Sequence, residues 1–314
     1  MPSDRRPARG RTSIRKSAKT RGGRERPGPD PERHTALNPS RELRATLDRF
    51  GLRPQKSRGQ NFLVDPFALG QILEAAELSP DDEVLEIGPG LGVLTKALAE
   101  RVRRVVAVEI DRGMVGALTD ALADRPNVEI VEGDALRLDP VEQFEVRPYK
   151  IVANLPYYIT SPLLRHYFES SNRPTRMVVM VQLEVAERIV AEPGDLSLLA
   201  VSVQFYGRPR LVGRVPANAF LPAPKVDSAM LAIDVRPSPA VDVEPEQFFK
   251  VVIAGFAMPR KQLHNALPQK MWMPPDAAEP ALRAAGIDPM RRAQTLTLDE
   301  WAGLTRELAG RGLL

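Results

Sequence analysis

Short apolar runs alternate with helical stretches through the middle of this chain. Each run has the length and composition of a parallel strand that is buried on both faces. The runs cover residues 83–87, 105–109, 128–131, 149–153 and 177–181, and the helical stretches between them cover about 93–101, 112–123, 161–170 and 183–192. This alternation predicts an α/β fold built on a doubly wound, mostly parallel sheet.

Two more strand candidates follow, at residues 199–206 and 229–235, without a clear helix between them. They predict a seven-stranded sheet that ends in an antiparallel hairpin. After the stiff segment 236–239 the strand pattern stops. Helical segments follow at about 245–257, 261–267, 277–285 and 298–309. We therefore expect one domain over residues 39–236 and a small helical domain over residues 240–314.

The N-terminal segment differs in composition from the rest. Residues 1–35 contain eleven Arg or Lys and four Asp or Glu, a net charge of +7, against +4 for the whole chain. Because the segment is rich in Arg, Pro, Gly and Ser, we expect a disordered basic tail over residues 1–38, and folded sequence from near Pro39. A basic arm can attract RNA phosphates without reading their sequence. The alternative is a solvated extension without a specific partner.

The residue inventory excludes several kinds of protein. The chain has no Cys and three His, so we expect no disulfide, no thiol nucleophile and no metal site. The longest apolar run, residues 177–181, is too short to cross a bilayer, and the N-terminus lacks the apolar core of a secretory signal. These features predict a soluble, cytoplasmic protein with no membrane contact. Separately, we expect it to be a monomer.

A glycine-rich segment follows the first predicted strand and opens the next helix. Residues 86–92 read Glu-Ile-Gly-Pro-Gly-Leu-Gly, and such glycines let the backbone turn sharply and approach a ligand closely. Dinucleotide-binding loops instead space their glycines as G-x-G-x-x-G, and Pro89 removes an N–H that a pyrophosphate would use. With Glu86 before it, the segment suits a zwitterionic amino-acid tail. The alternative is a tight turn without a ligand.

Acidic residues follow the next two strands. Glu109 ends the second strand, 21 residues after Gly88, where an acid in a doubly wound fold accepts hydrogen bonds from ribose hydroxyls. Asp134 follows the third strand and is placed to accept a bond from an adenine amine. Alone, the first would be a surface acid and the second a turn residue. Together they predict a ligand crevice at the carboxyl edge of the sheet.

The fourth strand leads into residues 154–157, Asn-Leu-Pro-Tyr, beside the same crevice. An exocyclic adenine amine is a poor nucleophile because its lone pair is conjugated with the ring. The carbonyl of Asn154 and a nearby backbone carbonyl can accept both amine hydrogens, while Pro156 stiffens the turn. Tyr157 offers a face for base stacking, and we expect Tyr158 to pack structurally. The alternative is a rigid turn with a core tyrosine.

A proline-rich loop lies between the last two predicted strands. Residues 220–228 read Phe-Leu-Pro-Ala-Pro-Lys-Val-Asp-Ser. The prolines predict an extended, inflexible loop that holds Phe220 over the second face of a target base. The alternative is a core phenylalanine in a stiff hairpin loop.

From about residue 52 to residue 310, the chain resembles the bacterial small-subunit (16S) ribosomal RNA adenine N6,N6-dimethyltransferases. The segments that carry the resemblance are Gln-Asn-Phe-Leu at 60–63, Glu-Ile-Gly-Pro-Gly-Leu-Gly at 86–92, Val-Glu-Ile-Asp at 108–111, Gly-Asp-Ala at 133–135, Asn-Leu-Pro-Tyr at 154–157, Phe-Leu-Pro-Ala-Pro-Lys-Val-Asp-Ser at 220–228, Lys-Gln-Leu-His-Asn-Ala-Leu at 261–267 and Arg-Arg-Ala-Gln-Thr-Leu at 291–296.

The resemblance implies a fold, a reaction and a partner. The fold is that of class I S-adenosylmethionine-dependent methyltransferases, which is Rossmann-like, with a small C-terminal helical domain that binds RNA. The reaction is transfer of methyl groups from S-adenosylmethionine to a pair of adjacent adenosines near the 3′ end of small-subunit rRNA. The partner is this rRNA within a pre-30S ribosomal particle, during ribosome biogenesis.

The resemblance also assigns roles to residues. Those implied to contact S-adenosylmethionine are Asn61, Leu63, Gly88, Glu109, Asp134 and Asn154. Those implied to handle the target adenine are Asn154, Leu155 and Tyr157, with Phe220 as its second stacking face. There are three departures from the family pattern. Tyr158 replaces an Asn that is common in the family, and residues 258–259, Met-Pro, stand where Arg is usual, which weakens one basic contact. The long basic tail is not a typical family feature.

Three other functions remain as alternatives. The related family that methylates large-subunit rRNA and confers macrolide resistance favours Asn-Ile-Pro-Tyr and lacks the 220–228 pattern. A non-catalytic RNA-binding assembly factor is disfavoured by the intact Gly88, Glu109, Asp134 and Asn154. A nicotinamide-dependent dehydrogenase is disfavoured by the glycine spacing.

Overall fold

The structure, a computed structural model, describes residues 39–55 and 59–314. The tail predicted over residues 1–38 lies outside the described residues. The strands are β1 (Phe62–Leu63), β2 (Glu83–Ile87), β3 (Arg104–Glu109), β4 (Val128–Glu132), β5 (Lys150–Asn154), β6 (Arg176–Gln182), β7 (Gly207–Val215), β8 (Phe220–Leu221) and β9 (Ser228–Val235). The helices are α1 (Pro39–Arg49), α2 (Pro66–Ala76), α3 (Val93–Ala99), α4 (Arg112–Ala121), α5 (Pro140–Phe144), α6 (Thr160–Glu169), α7 (Leu183–Ile189), α8 (Leu198–Tyr206), α9 (Pro245–Phe256), α10 (Leu263–Met271), α11 (Ala278–Ala284) and α12 (Leu298–Gly310).

Seven of the strands form one sheet in the order β4-β3-β2-β5-β6-β9-β7. The first five pair in parallel, whereas β9 is antiparallel to both β6 and β7. This arrangement confirms the predicted α/β class with a mostly parallel, seven-stranded sheet and an antiparallel hairpin. The chain reverses its direction of winding between β2 and β5, which is the place where open α/β sheets bind ligands.

The central strands are buried because helices cover both faces of the sheet. Successive side chains of a strand point to opposite faces, so Leu85 packs with Val106 in one apolar core while Val84 packs with Val105 in the other. All four side chains have no exposed surface. Double burial explains why these strands read as continuous apolar runs rather than as alternating patterns.

The prediction of a strand at residues 199–206 is wrong, because the helix α8 occupies this segment. Ser197 caps the helix, and its side chain accepts the N–H of Ala200 at 3.1 Å. The apolar residues that indicated a strand are instead buried on several sides of a helix. A short apolar run alone does not distinguish a buried strand from a buried helix. The actual strand, β7, lies at the sheet edge and contains Pro209, which hides it from a strand pattern.

The two helices that precede the large sheet both begin at a proline. Helix α1 starts at Pro39, in agreement with the expected start of folded sequence. Asp65 caps α2 and accepts the N–H of Phe67 at 2.9 Å, and Pro66 occupies the first turn, where its missing N–H costs nothing.

Helices α9 to α12 confirm the predicted helical segment after the sheet. Their core joins that of the sheet region, since the rings of Phe205 in α8 and Phe248 in α9 stack with centroids 4.6 Å apart. The described residues belong to one compact unit; the division into domains 39–236 and 240–314 stays a prediction. No helix in the described part is both long and apolar enough to cross a membrane.

Candidate active site

A cavity of about 260 Å³ lies at the carboxyl edge of the sheet, where β2, β3, β4 and β5 end. Segment 59–63, before α2, closes one side of it. All the residues predicted to contact the cofactor line this cavity: Asn61, Leu63, Gly88, Glu109, Asp134 and Asn154. The structure thus brings together residues that are spread over almost one hundred positions of the sequence, and their roles remain predictions.

The glycine loop between β2 and α3 approaches segment 59–63 so closely that a side chain would not fit. Gly90 has φ +59, in the left-handed region that favours glycine. A Cβ atom at this position would lie 2.8 Å from the ring of Phe62. The N–H of Gly90 donates to Oε2 of Glu109 at 3.2 Å, so the loop is tied to the end of β3.

Glu109 is 5% exposed and is held by backbone donors at the end of β3. Besides the bond from Gly90, its Oε1 accepts the N–H of Asp111 at 3.0 Å. Burial raises the pKa of Glu109, and these N–H donors oppose the rise because they stabilise the carboxylate. Each oxygen keeps acceptor capacity, as a ribose contact requires.

Asp134 occupies the turn after β4. Its Oδ1 accepts the N–H of Leu136 at 3.0 Å, which fixes the side chain at the cavity wall. The backbone N–H of Gly133 donates to the carbonyl of Glu109 at 2.9 Å, so the ends of β3 and β4 are joined next to this carboxylate.

Asn154 has a defined amide orientation. Its Nδ2 donates to the backbone carbonyl of Asn61 at 2.9 Å, and the amide of Asn61 donates in turn to the carbonyl of Gly59 at 3.1 Å. Because a carbonyl only accepts, the nitrogen of Asn154 must face Asn61. The oxygen Oδ1 is therefore left as the acceptor that this side chain offers to the cavity, which it lines.

The segments 154–157 and 220–228 are joined at a second point. The hydroxyl of Tyr157 lies 2.6 Å from Oγ of Ser228, the last residue of the proline-rich pattern. Burial raises the pKa of Tyr157, so its hydroxyl stays protonated and available for this bond at neutral pH. The Tyr157 ring is half-buried and is not among the residues that line the cavity.

Phe220 and Leu155 are more buried than a direct contact with a base would suggest. Phe220 is 3% exposed, pairs with Leu63 across β1 and β8, and belongs to the core under α2. Leu155 is 2% exposed, and its N–H donates to the carbonyl of Met180 at 3.2 Å. Neither residue is among those that line the cavity. Their roles in contacting the target base stay predictions.

Tyr158 is the site residue for which the sequence reasoning failed. We expected it to pack structurally, but it is 57% exposed and lines the cavity. It lies in the 3-10 turn Tyr157–Ile159, next to the half-buried Tyr157, which does not line the cavity. The adjacent tyrosines gave no sequence signal for which of them would face solvent.

The charged residues that line the cavity are all acidic. Glu86, Glu109 and Asp134 line it, and no Lys, Arg or His is among the described residues that do so. Glu86 is 2% exposed, and its Oε2 has no hydrogen-bond partner among the described residues. Three carboxylates, one of them with an oxygen left unpartnered within the described part of the chain, suit a positively charged ligand, and the glycine loop suits an amino-acid tail. The site therefore fits S-adenosylmethionine and does not suit a dinucleotide.

Comparison with known sequences shows the family. A family profile described as ribosomal RNA adenine dimethylase matches residues 51–309. Two curated relatives, both called ribosomal RNA small subunit methyltransferase A, come from Dehalococcoides mccartyi and Moorella thermoacetica. The first is 45% identical and covers 86% of this chain and 93% of its own length. The second is 46% identical and covers 87% of this chain and 99% of its own length.

Two solved structures share the fold over most of both chains. The 23S rRNA methyltransferase ErmE is 32% identical, with a TM-score of 0.64 over 79% of this chain and 100% of its own. A dimethyladenosine transferase from Plasmodium falciparum is 26% identical, with a TM-score of 0.70 over 80% of this chain and 98% of its own. From the matched profile and these relatives, the chain belongs to the ribosomal RNA adenine dimethylase family.

Proposed function

We propose that this protein is an S-adenosylmethionine-dependent rRNA adenine N6,N6-dimethyltransferase that modifies a pair of adjacent adenosines near the 3′ end of small-subunit rRNA during ribosome biogenesis. The observation that carries the proposal is the amide orientation of Asn154. Its nitrogen is occupied by the carbonyl of Asn61, so its oxygen is the group that an adenine amine would meet.

The residues at the carboxyl edge would hold the cofactor. Glu109 would accept bonds from the ribose hydroxyls and Asp134 from the adenine amine of the cofactor, while the backbone around Gly88 would receive its amino-acid tail. When bound, S-adenosylmethionine supplies the methyl group, as a sulfonium electrophile open to direct in-line attack by a nucleophilic nitrogen.

The segment 154–157 would prepare that nitrogen. The carbonyl of Asn154 and a nearby backbone carbonyl accept both amine hydrogens, which favours a more tetrahedral nitrogen with an available lone pair. Tyr157 offers a stacking face worth about 1–3 kcal/mol, and Phe220 would cover the second face. No general base is needed because the amine becomes acidic only when it is methylated. The work of the protein is positioning and charge stabilisation.

Two features favour the small subunit over the large subunit as substrate. The chain has Asn-Leu-Pro-Tyr at 154–157 and the full pattern at 220–228, and the bond between Tyr157 and Ser228 links the two segments. Both curated relatives named above carry small-subunit names. The likeness to ErmE makes large-subunit rRNA the second candidate.

The proposed partner is the pre-30S particle, with the protein acting as a cytoplasmic monomer. A short RNA segment gives little base-specific readout, so a particle surface would supply much of the recognition. The exposed Arg260 and Lys261, before α10, are positively charged and suited to backbone phosphates. The basic residues of the N-terminal tail would add affinity that falls with salt.

Methyl transfer to isolated subunits tests the proposal. Undermethylated small subunits and large subunits are incubated in parallel with labelled S-adenosylmethionine, and the rRNA is analysed as nucleosides. We expect dimethyladenosine in the small subunit alone. Label in the large subunit would instead establish the second candidate. No label in either subunit, with measurable cofactor binding, would support the assembly-factor alternative and contradict the proposal.

A further inference from the structure

Asp111 joins the start of α4 to the segment that closes the cavity. It follows Glu109 by two residues and is 9% exposed. Its Oδ1 accepts the N–H of Gly113 at 3.0 Å and so caps α4. Its Oδ2 accepts hydrogen bonds from two side-chain amides that precede β1, Nε2 of Gln55 at 3.2 Å and Nε2 of Gln60 at 3.3 Å. One oxygen of this carboxylate therefore serves its own helix, and the other holds a distant part of the chain.

The side-chain amide of Gln60 has a defined orientation. Its Oε1 accepts the backbone N–H of Gln55 at 2.8 Å. Because an N–H only donates, the oxygen of this amide must face Gln55, and the nitrogen Nε2 is left to face Asp111. Gln60 therefore needs an acceptor at position 111, and the carboxylate of Asp111 supplies it.

The residue after Gln60 holds the side chain on which the proposed reaction depends. The backbone carbonyl of Asn61 accepts Nδ2 of Asn154 at 2.9 Å. At the other end, the N–H of Asp111 donates to Oε1 of Glu109 at 3.0 Å. Hydrogen bonds and short stretches of chain thus connect the acid at the end of β3 with the amide at the end of β5.

The position of the Asn61 carbonyl depends on these bonds because strand pairing does not reach it. Strand β1 begins at Phe62, and its pairing with β8 covers only Phe62 and Leu63. Irregular chain outside a regular element moves more easily than the element itself. The bond from Gln60 to Asp111 is therefore well placed to decide where the carbonyl of Asn61 lies.

We propose that Asp111 is a positioning residue for methyl transfer: it fixes Gln60, and through the next residue it sets the amide orientation of Asn154. This inference rests on the proposed function, in which the oxygen of Asn154 accepts a hydrogen of the target amine. Asp111 is not among the residues that line the cavity, so it acts through its neighbours. When the carbonyl of Asn61 is displaced, the amide of Asn154 is free to turn its donor toward the amine, which donates as well.

Asp111→Asn separates the two uses of this side chain. Asn caps a helix about as well as Asp, so its oxygen can keep the bond from Gly113. Its NH2 group then stands before Nε2 of Gln60, and two donors face each other. At saturating S-adenosylmethionine and saturating small subunits, kcat should fall about 10- to 100-fold, since small misplacements of reacting groups cost this much. The KM for subunits should change less than about threefold, because no proposed RNA contact is removed. Wild-type kcat in this variant would overturn the inference.

A second substitution should restore the bond with its direction reversed. Gln60→Glu alone places a carboxylate before Asp111 and should also lower kcat. Combined with Asp111→Asn, the introduced amide donates to the introduced carboxylate, whose other oxygen still accepts the N–H of Gln55. The double variant has the net charge of wild type, and its kcat should return to within about fivefold of wild type. A double variant no more active than the weaker single variant would contradict the proposal.

Asp139→Asn is the matched control. Asp139 caps α5 by accepting the N–H of Val141 at 2.8 Å, and it is not among the residues that line the cavity. The substitution makes the same chemical change at a helix start that has no printed bond to segment 59–61. It should leave kcat at the wild-type value. A loss of kcat equal to that of Asp111→Asn would assign the effect to the missing capping carboxylate and overturn the inference.

Discussion

At the scale of single residues, hydrogen bonds decide which atoms the site presents. The amide nitrogen of Asn154 donates a hydrogen bond to the backbone carbonyl of Asn61, so its amide oxygen is left as the acceptor at the cavity. Glu109 is fixed by backbone N–H groups that donate to both of its carboxylate oxygens. Tyr157 is anchored through its hydroxyl to Ser228. Sequence patterns name these side chains but do not show which atoms are already occupied, because the partners are up to 93 positions away.

The anchoring of Tyr157 leads to a prediction that separates its hydroxyl from its ring. Tyr157→Phe removes the bond to Ser228 and should lower the free energy of unfolding by about 1 kcal/mol. Because the ring remains, kcat/KM for the RNA substrate should fall less than about tenfold. Tyr157→Ala also removes the stacking face and should lower kcat/KM by a further factor of about 5 to 150, equivalent to 1–3 kcal/mol.

The control for this prediction is Ser228→Ala, which breaks the same bond without touching the ring. Its stability loss should not add fully to that of Tyr157→Phe when the two are combined, as expected of residues that share one interaction. Denaturant unfolding and steady-state methyl transfer measure the two quantities. Equal kcat/KM for the Phe and Ala variants at position 157 would show that the ring does not stack on the base.

At the scale of elements, the sequence predicts the parallel strands well because each is buried on both faces and reads as an apolar run. The sequence prediction is wrong at residues 199–206, where the apolar run forms the helix α8. It also misses the edge strand β7, because this partly exposed strand has no continuous apolar run. The small strands β1 and β8 are two residues each, too short to give any periodicity. They matter because they join segment 59–63 to the proline-rich loop.

The contact between the glycine loop and β1 leads to a prediction at Gly90. Gly90→Ala places a Cβ atom 2.8 Å from the ring of Phe62, in a backbone conformation with φ +59. Either the ring or the loop must move, and both line the cavity. We expect the affinity for S-adenosylmethionine to fall by at least about tenfold, and the protein to lose more than about 1 kcal/mol of stability.

Gly70 in α2 provides the matched control. A Cβ atom there meets nothing within 4 Å, so Gly70→Ala should raise stability by about 0.5–1 kcal/mol through its higher helix propensity. Its cofactor affinity should equal that of wild type. Calorimetric binding and thermal unfolding of the two variants check both statements, and wild-type affinity in Gly90→Ala would refute the close approach of loop and ring.

At the scale of the whole molecule, three distant segments meet at one edge of the sheet. Segments 59–63, 154–157 and 220–228 are joined by the Asn154–Asn61 bond, the pairing of β1 with β8 and the Tyr157–Ser228 bond. The order of strands and the resemblance place each segment near this edge. Their mutual contacts were not predictable, since they depend on side chains that the sheet topology brings together.

The central claim is that this edge methylates an adenine amine presented to Asn154. Its most direct measurement compares wild type with Asn154→Ala on undermethylated small subunits at saturating S-adenosylmethionine, with dimethyladenosine quantified by nucleoside analysis. We expect the variant to lose turnover while it binds S-adenosylmethionine within about tenfold of wild type, because the other cavity residues remain. Full formation of dimethyladenosine by Asn154→Ala would contradict the account.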